Sequence, residues 1–259
     1  MQFNALLASA QQTEMEFPAG WGQGRATYGG LVAALMYQHL AQQVPDRHLR
    51  SVTINFVGPV APGPASFSAT ILREGKSVTQ AQVMLHQDGA VQAVLLASFG
   101  QPRTSAIRVD AAPSPAYRDP ESLMALPFVA GVTPEFLQHF GVHWGEGSFP
   151  FMGAQTSNVG GWERFKAADG PLTPAHVLAL VDVWPPTVLG MMKTPAPSSS
   201  MTWTLELVSD LQGLKAGDWF KYQASTDFAD QGYVHSPARL WDANGQLLAL
   251  SRQTVVVFG

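Results

Sequence analysis

The spacing of apolar residues changes period twice along the chain, and the same pair of changes occurs in each half. Phe3, Leu6, Leu7 and Ala10 are spaced for one face of a short amphipathic helix. Phe17-Pro18 and the glycines at 20, 22 and 24 then read as an extended lead-in strand with turns. From Tyr28 to about Val44 the residues are mostly apolar, the mark of a helix without a solvated face. At Leu49 the period falls to two. Val52, Ile54 and Phe56 alternate, then Phe67, Ala69 and Ile71, then Val78 to Leu85, and last Val91 to Phe99. Gly63, Gly75 and the Gln87-Asp88-Gly89 turn separate these runs, so an antiparallel meander of four strands is predicted. A helix followed by antiparallel strands is an α+β unit.

Residues 101 to about 135 lose this order. They carry Pro102, Pro113, Pro115, Pro120 and Pro127, with a short helix predicted at Pro120–Ala125, and read as a connector. Strand texture resumes at Val142, Trp144, Phe149 and Phe151, and again at Gly161-Trp162-Glu163-Arg164-Phe165. The stretch Leu172–Pro186, LTPAHVLALVDVWPP, predicts a second buried helix. Thr173 suits the N-cap, Pro174 suits the first helical position, and Pro185-Pro186 stop the helix after Trp184. That leaves about three turns, roughly 16 Å at 1.5 Å per residue. A second meander follows in Met201–Leu207, Trp219–Thr226, Tyr233–Trp241 and Leu247–Phe258. Its turn glycines 217, 232 and 245 lie 154, 157 and 156 residues beyond Gly63, Gly75 and Gly89. So constant an offset predicts an internal duplication, whose copies can pair about a pseudo-twofold axis.

With 259 residues of which 46% are apolar and 13% charged, the chain can bury a large core. A net charge of −4, with 15 Lys plus Arg and no basic run, leaves no footprint for nucleic acid. Having no cysteine, the chain has no disulfide, thiolate metal site or Cys nucleophile. The first residues lack a basic n-region and acquire Glu14 and Glu16 early, so no signal peptide is predicted. No apolar run reaches the roughly 18 residues of a membrane span, and a cytoplasmic location is the expectation.

The chemistry gathers around the second helix. Between its stops every residue is apolar or small except His176 and Asp182. A buried carboxylate lacking partners is costly, and the same desolvation lifts its pKa toward the range of a general base. The plainer alternative is a helix-terminal Asp reaching water past Trp184. The first helix, residues 28 to 44, has no Asp or Glu, and at an offset of 156 Gln253 falls opposite Ala97. Polar residues thus stand in the second copy where the first is apolar, as when one copy keeps a site. Ser200 opens the strand after the Asp182 helix, and the three side chains together suit one water. Asp182 would take its proton while Ser200 and Gln253 set its direction. Each of these two also has an ordinary reading, Ser200 as a strand start and Gln253 as a strand residue. No Gly-x-Ser-x-Gly elbow is present. Gly29 and Gly30 would either present helix N–H groups to a polarised oxygen or simply allow close packing. The seven histidines, at 39, 48, 86, 139, 143, 176 and 235, include no helical pair at metal-ligand spacing, so no zinc site is predicted.

The runs RATYGGLVAALMYQ, SVTINFVGPVAPG and ATILREGKSVTQAQVMLHQDGAVQAVLLASFG resemble the N-terminal repeat of the acyl-CoA thioesterase II family. LALVDVWPP, SSSMTWTLEL and HSPARLWDANGQLLALSRQTVVV resemble its C-terminal repeat. The resemblance implies an α+β double hot-dog, in which each repeat wraps an antiparallel sheet around a long helix. It divides the chain into an N-terminal repeat at 1–105, a Pro-rich connector at 106–135 and a C-terminal repeat at 136–259. It also implies hydrolysis of acyl-CoA to free acid and CoA, with no metal or other cofactor. The family's catalytic Asp, Thr and Gln fall on Asp182, Ser200 and Gln253. Serine in place of Thr is a departure, with Ser199 and Thr202 as neighbouring candidates. Trp184-Pro185-Pro186 differs too, and Trp184, Trp203 and Phe56 are candidates for lining the acyl channel. The implied partner is acyl-CoA, with no nucleic acid or membrane; assembly into homo-oligomers stays open. Other readings of the fold are an acyl-thioester hydratase or dehydratase and a non-catalytic acyl-CoA-binding protein.

Overall fold

A computed structural model describes residues 2–258. The chain begins with α1 (Phe3–Ser9), strand β1 (Glu14–Phe17) and a small ribbon of β2 (Gly22–Gln23) and β3 (Ala26–Thr27). Helix α2 (Gly29–Ala41) leads into β4 (His48–Phe56), β5 (Gly63–Glu74), β6 (Val78–Gln87) and β7 (Ala90–Gly100). Beyond the connector come β8 (Met124–Ala125), β9 (Phe140–Gly147), β10 (Asn158–Phe165) and helix α3 (Pro174–Val181). The chain closes with β11 (Ser198–Leu207), β12 (Phe220–Ser225), β13 (Phe228–Asp230), β14 (Tyr233–Asp242) and β15 (Leu247–Val257).

One antiparallel sheet joins these strands in the order β1-β5-β6-β7-β4-β11-β15-β14-β12-β10-β9-β8, with β13 against β14. The expected four-strand meanders are therefore rearranged. Each run's first strand pairs with its last, β4 with β7 and β11 with β15, not with the strand that follows it in sequence. The reason is the seam: β4 and β11 pair with each other, Thr53 opposite Thr204, which puts both at the middle of the sheet. The other three strands of each run then fan outward through short turns. Residues 57–62 carry the chain from β4 to β5 across this gap, and Pro59 and Pro62 within them cannot extend a ladder.

Helices α2 and α3 pack against each other inside the sheet. Every residue from Gly30 to Tyr37 and from Ala175 to Val181 is buried, which accounts for the missing polar faces. The Tyr28 hydroxyl, at the start of α2, donates to the Ala179 carbonyl of α3 at 2.5 Å. At the start of α3, the Thr173 N–H donates to His176 Nδ1 at 3.3 Å, and the Thr173 hydroxyl lies 2.8 Å from the same nitrogen. His176 thus takes the reach-back part of a capping box.

The end of α3 corrects the sequence expectation. The helix stops at Val181 instead of Trp184, and Asp182 is its C-cap, at φ −93 and ψ 2. Pro185 and Pro186 have no N–H for the carbonyls four residues back, those of Val181 and Asp182, and the Pro185 ring crowds the former. The last turn tightens instead, with the Val183 N–H on the Leu180 carbonyl at 3.0 Å.

Residues Gln101 to Pro113 are all exposed and lack regular structure. The predicted short helix is a single 3-10 turn at Pro120–Ser122, because Asp119 caps it and Met124–Ala125 leave to pair with β9. Tyr117 pins the connector to the outer face of the second half by donating to Glu146 at 2.9 Å and to the Tyr222 carbonyl at 3.2 Å. Phe149 and Phe151 sit in the loop between β9 and β10, not on a strand. Among the described residues no helix is long and apolar enough to cross a membrane.

Candidate active site

Asp182 caps α3 where the two central helices meet, so its carboxyl faces the first turn of α2. Gln253 reaches it from β15, where it lies opposite Trp203 of β11. Ser200 lies on β11 beside a register shift between Ser200 and Thr202, an irregularity of the kind that re-aims a side chain. The three make one hydrogen-bonded run. The Ser200 hydroxyl donates to Gln253 Oε1 at 3.2 Å, and Gln253 Nε2 donates to Asp182 Oδ1 at 2.8 Å. The backbone N–H of Gly30 faces the same carboxylate and favours its charged form. Gly29 is required for this approach. A Cβ there would lie 2.9 Å from Asp182 Oδ2 and 3.2 Å from Phe56 Cζ.

Protein atoms crowd the Asp182 carboxyl, although the residue keeps partial access to solvent. Burial is the largest influence and pushes its pKa from 3.8 up to about 7, against the opposing pull of the Gln253 hydrogen bond and the Gly30 N–H. Burial also raises the phenols of Tyr28 and Tyr222 well above their ordinary range, and the charges of Asp182 and Glu163 add to it in both. A carboxylate near neutrality, an amide that fixes it and a hydroxyl beyond the amide form a set able to orient and deprotonate one small nucleophile.

The structure therefore brings Asp182, Ser200, Gln253, Gly29 and Gly30 together. Ser200, and neither Ser199 nor Thr202, is hydrogen-bonded to Gln253. Trp184 turns away into the interior, tilted against Trp144 with ring centroids 4.9 Å apart and stacked on Tyr222 at 5.4 Å. Phe56 stands beside Gly29, next to the carboxyl. Trp203 is core, with its indole N–H on the Ser251 hydroxyl at 2.8 Å. Among the described residues no histidine is hydrogen-bonded to Asp182. His176 is held by Thr173 and by Asn4, 2.8 Å from Nε2, and burial pushes its pKa down to about 4. Two open hollows also lie elsewhere. One of about 290 Å³ is lined by Phe3, Trp21, His139 and Phe165, and another of about 580 Å³ by residues of β1, β5 and the β6–β7 turn. Chemistry marks the site at Asp182, not the size of a hollow.

Two features escaped the sequence reading. One is the use of the Gly30 N–H as a partner for Asp182, for which the Gly-Gly helix start was the signal. The other is Glu163, a carboxyl wholly buried at 0% exposure. Strand parity places it on the same face as Gly161 and Phe165.

Known families and structures resemble this chain along most of its length. A family model described as the acyl-CoA thioesterase C-terminal domain matches residues 118–257, and one described as the N-terminal domain matches residues 17–100. A conserved protein of unknown function with a hot dog fold from Alicyclobacillus acidocaldarius is similar at a TM-score of 0.86 and 24% identity, with 98% of each chain covered. A putative thioesterase II from Thermobifida fusca is similar at a TM-score of 0.82 and 22% identity, covering 98% of this chain and 97% of that one. A tesB protein from Mycobacterium avium subs paratuberculosis is similar at 0.78 and 18%, with each chain covered in full, 100%. Among curated proteins no significant match was found. The solved structures establish a hot-dog fold, and the two domain models, which follow each other along the chain and span both meanders, show that it belongs to the acyl-CoA thioesterase family.

Proposed function

We propose that this chain carries out its family's reaction, hydrolysis of acyl-CoA to free acid and CoA, by direct attack of a water activated by Asp182. The supporting observation is the run from Ser200 through Gln253 to a carboxyl whose pKa burial lifts to about 7. Such a base is partly ionised at neutral pH and still strong enough to accept a proton. Each carboxylate oxygen has two lone pairs, so Asp182 can accept from water as well as from Gln253 and Gly30. The hydroxyl hydrogen of Ser200 is committed to Gln253, which leaves it only lone pairs to offer water. A water that donates to both turns its own lone pair outward, toward a thioester carbonyl. As its oxygen bonds to the carbonyl carbon, Asp182 takes the proton and the carbonyl oxygen gains the negative charge. Collapse of that intermediate breaks the C–S bond, and the departing thiolate takes the proton back from Asp182. With the Gly30 N–H on Asp182, the Gly29 N–H at the positive end of α2 is assigned to the oxyanion.

The fold in this reading is two tandem hot-dog repeats, 1–105 and 136–259, joined by the 106–135 connector. Strand order supports it, since from the β4–β11 seam the sheet reads outward as last, third and second strand of each run on either side. Register supports the pairing of Gln253 with Ala97. Ala97 lies opposite Val52 and Gln253 opposite Trp203, and 52 and 203 are neighbours of the seam pair Thr53 and Thr204. The polar residues of the proposed site thus all stand in the second copy.

The test is to quench the protein during turnover of a series of acyl-CoAs and weigh it. An unchanged protein mass, with thiol release that collapses in Asp182→Asn, is expected. An acyl adduct on Ser200, or no release from any acyl-CoA, would overturn the proposal.

A further inference from the structure

A row of bonded hydroxyls stands beside the proposed site and takes no part in the hydrolytic step. Thr187 opens a 3-10 turn, Thr187–Gly190, five residues after Asp182, and is buried at 3% exposure. Its hydroxyl lies 2.6 Å from that of Thr226, just past β12, and 3.0 Å from that of Ser236 on β14. Thr226 in turn donates to the Ser157 carbonyl, just ahead of β10, at 3.3 Å. Each hydroxyl has a single hydrogen, so this end fixes the rest: Thr187 donates to Thr226, and Ser236 donates to Thr187. Ser236 is left with lone pairs alone. It lies directly opposite Gln253 in the β14–β15 ladder, and both point inward, Ser236 on the face of Val234 and Ala238, Gln253 on the face of Ser251 and Val255. Side chains so placed stand about 5 Å apart at Cβ, within reach of a glutamine amide. Gln253 Nε2 carries two hydrogens and gives one to Asp182. Leu189 of the same turn packs with Val234, Val255 and Val257, so apolar contact also holds the turn on these strands.

We propose that Thr187 is a positioning residue for this site: through Ser236 it holds the Gln253 amide with its NH₂ group toward Asp182 and its oxygen toward Ser200. This rests on the hydrolase reading above. A side-chain amide fills the same space either way round, and only its partners decide between the two. Turned over, Gln253 would set an acceptor against the Asp182 carboxylate and could not accept from Ser200. Ser236, its hydrogen spent on Thr187, opposes that turn because it too can only accept there. Without the Thr187 hydroxyl the Ser236 hydrogen is free to face the amide oxygen, and the reversed amide becomes available.

Thr187→Val keeps the shape of the side chain and removes the hydroxyl, whereas Thr187→Ser keeps the hydroxyl. Both are compared with wild type by acyl-CoA turnover and by titration of the Asp182 carboxyl, followed by ¹³C NMR in substrate-free protein. In Thr187→Val, kcat is expected to fall by about tenfold or more with KM little changed. The Asp182 midpoint is expected to rise above that of wild type, because a reversed amide no longer donates to the carboxylate. Thr187→Ser should restore both. The other titratable groups around Asp182, Tyr28 before α2, Tyr222 on β12 and Glu163 on β10, are held toward their neutral forms by burial, so the midpoint reports on the amide. A kcat or a midpoint unchanged in Thr187→Val, or a Thr187→Ser that behaves like Thr187→Val, would overturn the proposal. Where Thr187→Val does not fold, Ser236→Ala at a half-buried position decides by the same two measurements. If wild type turns over no acyl-CoA at all, the hydrolase reading fails instead. The substrate-free titration then decides the positioning role by itself, a raised midpoint supporting it and an unmoved one overturning it.

Discussion

Replacing Asp182 by asparagine keeps the size of the side chain and removes the basic oxygen, so activity and stability are predicted to move in opposite directions. Thiol release from acyl-CoA should fall by about 10²–10⁴ in kcat/KM, the usual contribution of a positioned general base. In wild type, kcat/KM should rise with pH through about 7, because the carboxyl must be ionised to take a proton. Stability follows the other sign. The folded-state pKa of about 7 lies above the ordinary 3.8, so between these values the folded chain binds more protons than the unfolded chain, and stability falls as pH rises. A rise from 3.8 to about 7 disfavours the charged form by about 4 kcal/mol, an upper figure for a residue with partial solvent access. The asparagine variant escapes this cost, although its NH₂ group cannot accept from Gln253 or Gly30 as an oxygen does. Chemical denaturation at pH 8 should find it at least as stable as wild type. Wild-type turnover in the variant, or a pH profile flat between 6 and 8, would refute the assignment of Asp182 as base.

Three further predictions test its neighbours. Gln253→Leu takes a donor from Asp182 and releases Ser200, so the midpoint of the pH–rate profile should move above that of wild type, whereas Ser200→Ala should lower kcat and leave the midpoint in place; identical profiles would refute the order of the run. Gly29→Ala inserts a methyl 2.9 Å from Asp182 Oδ2 at a position where alanine favours the helix. Activity should fall by about 10²-fold from a misplaced carboxyl without loss of Tm, and unchanged kinetics would contradict the close approach. His176, pushed from 6.5 down to about 4, should cost wild type up to about 3 kcal/mol as pH falls through that window, because the unfolded chain binds the proton first. Denaturation at pH 7 and pH 4.5 should show this loss in wild type and less of it in His176→Gln; equal losses would refute it.

Much of the fold was legible because its punctuation is local. Proline and glycine mark the ends of both buried helices, and alternation marks the strands. Pairing was less legible, since nothing within β4 or β11 says that its neighbours are the last strand of its own run and the first strand of the other. The end of α3 was placed three residues late because two prolines act through hydrogen bonds four residues back, not where they stand. Asp182, Ser200 and Gln253 could be named from residue type and order, but their linear arrangement, with Gln253 between the other two, is a property of three-dimensional reach. Glu163 was hidden for a different reason. Strand parity on β10 is blurred because Trp162, on the outer face, is also buried, its N–H on the Arg118 carbonyl of the connector at 2.9 Å. With both faces apolar, a glutamate between Trp162 and Arg164 looks like a surface charge.

The seam between β4 and β11 has a consequence for what counts as the smallest working unit. Gly29, Gly30 and Phe56 come from one side of the molecule and Asp182, Ser200 and Gln253 from the other, so neither side alone owns the whole of the proposed site. The strap from Gln101 to Pro113, exposed throughout, contributes no residue to it. Covalent continuity and chemical competence are thus separate in the proposed site: a protease cut in the strap should leave it whole, whereas pulling the two sides apart at the seam should dismantle it.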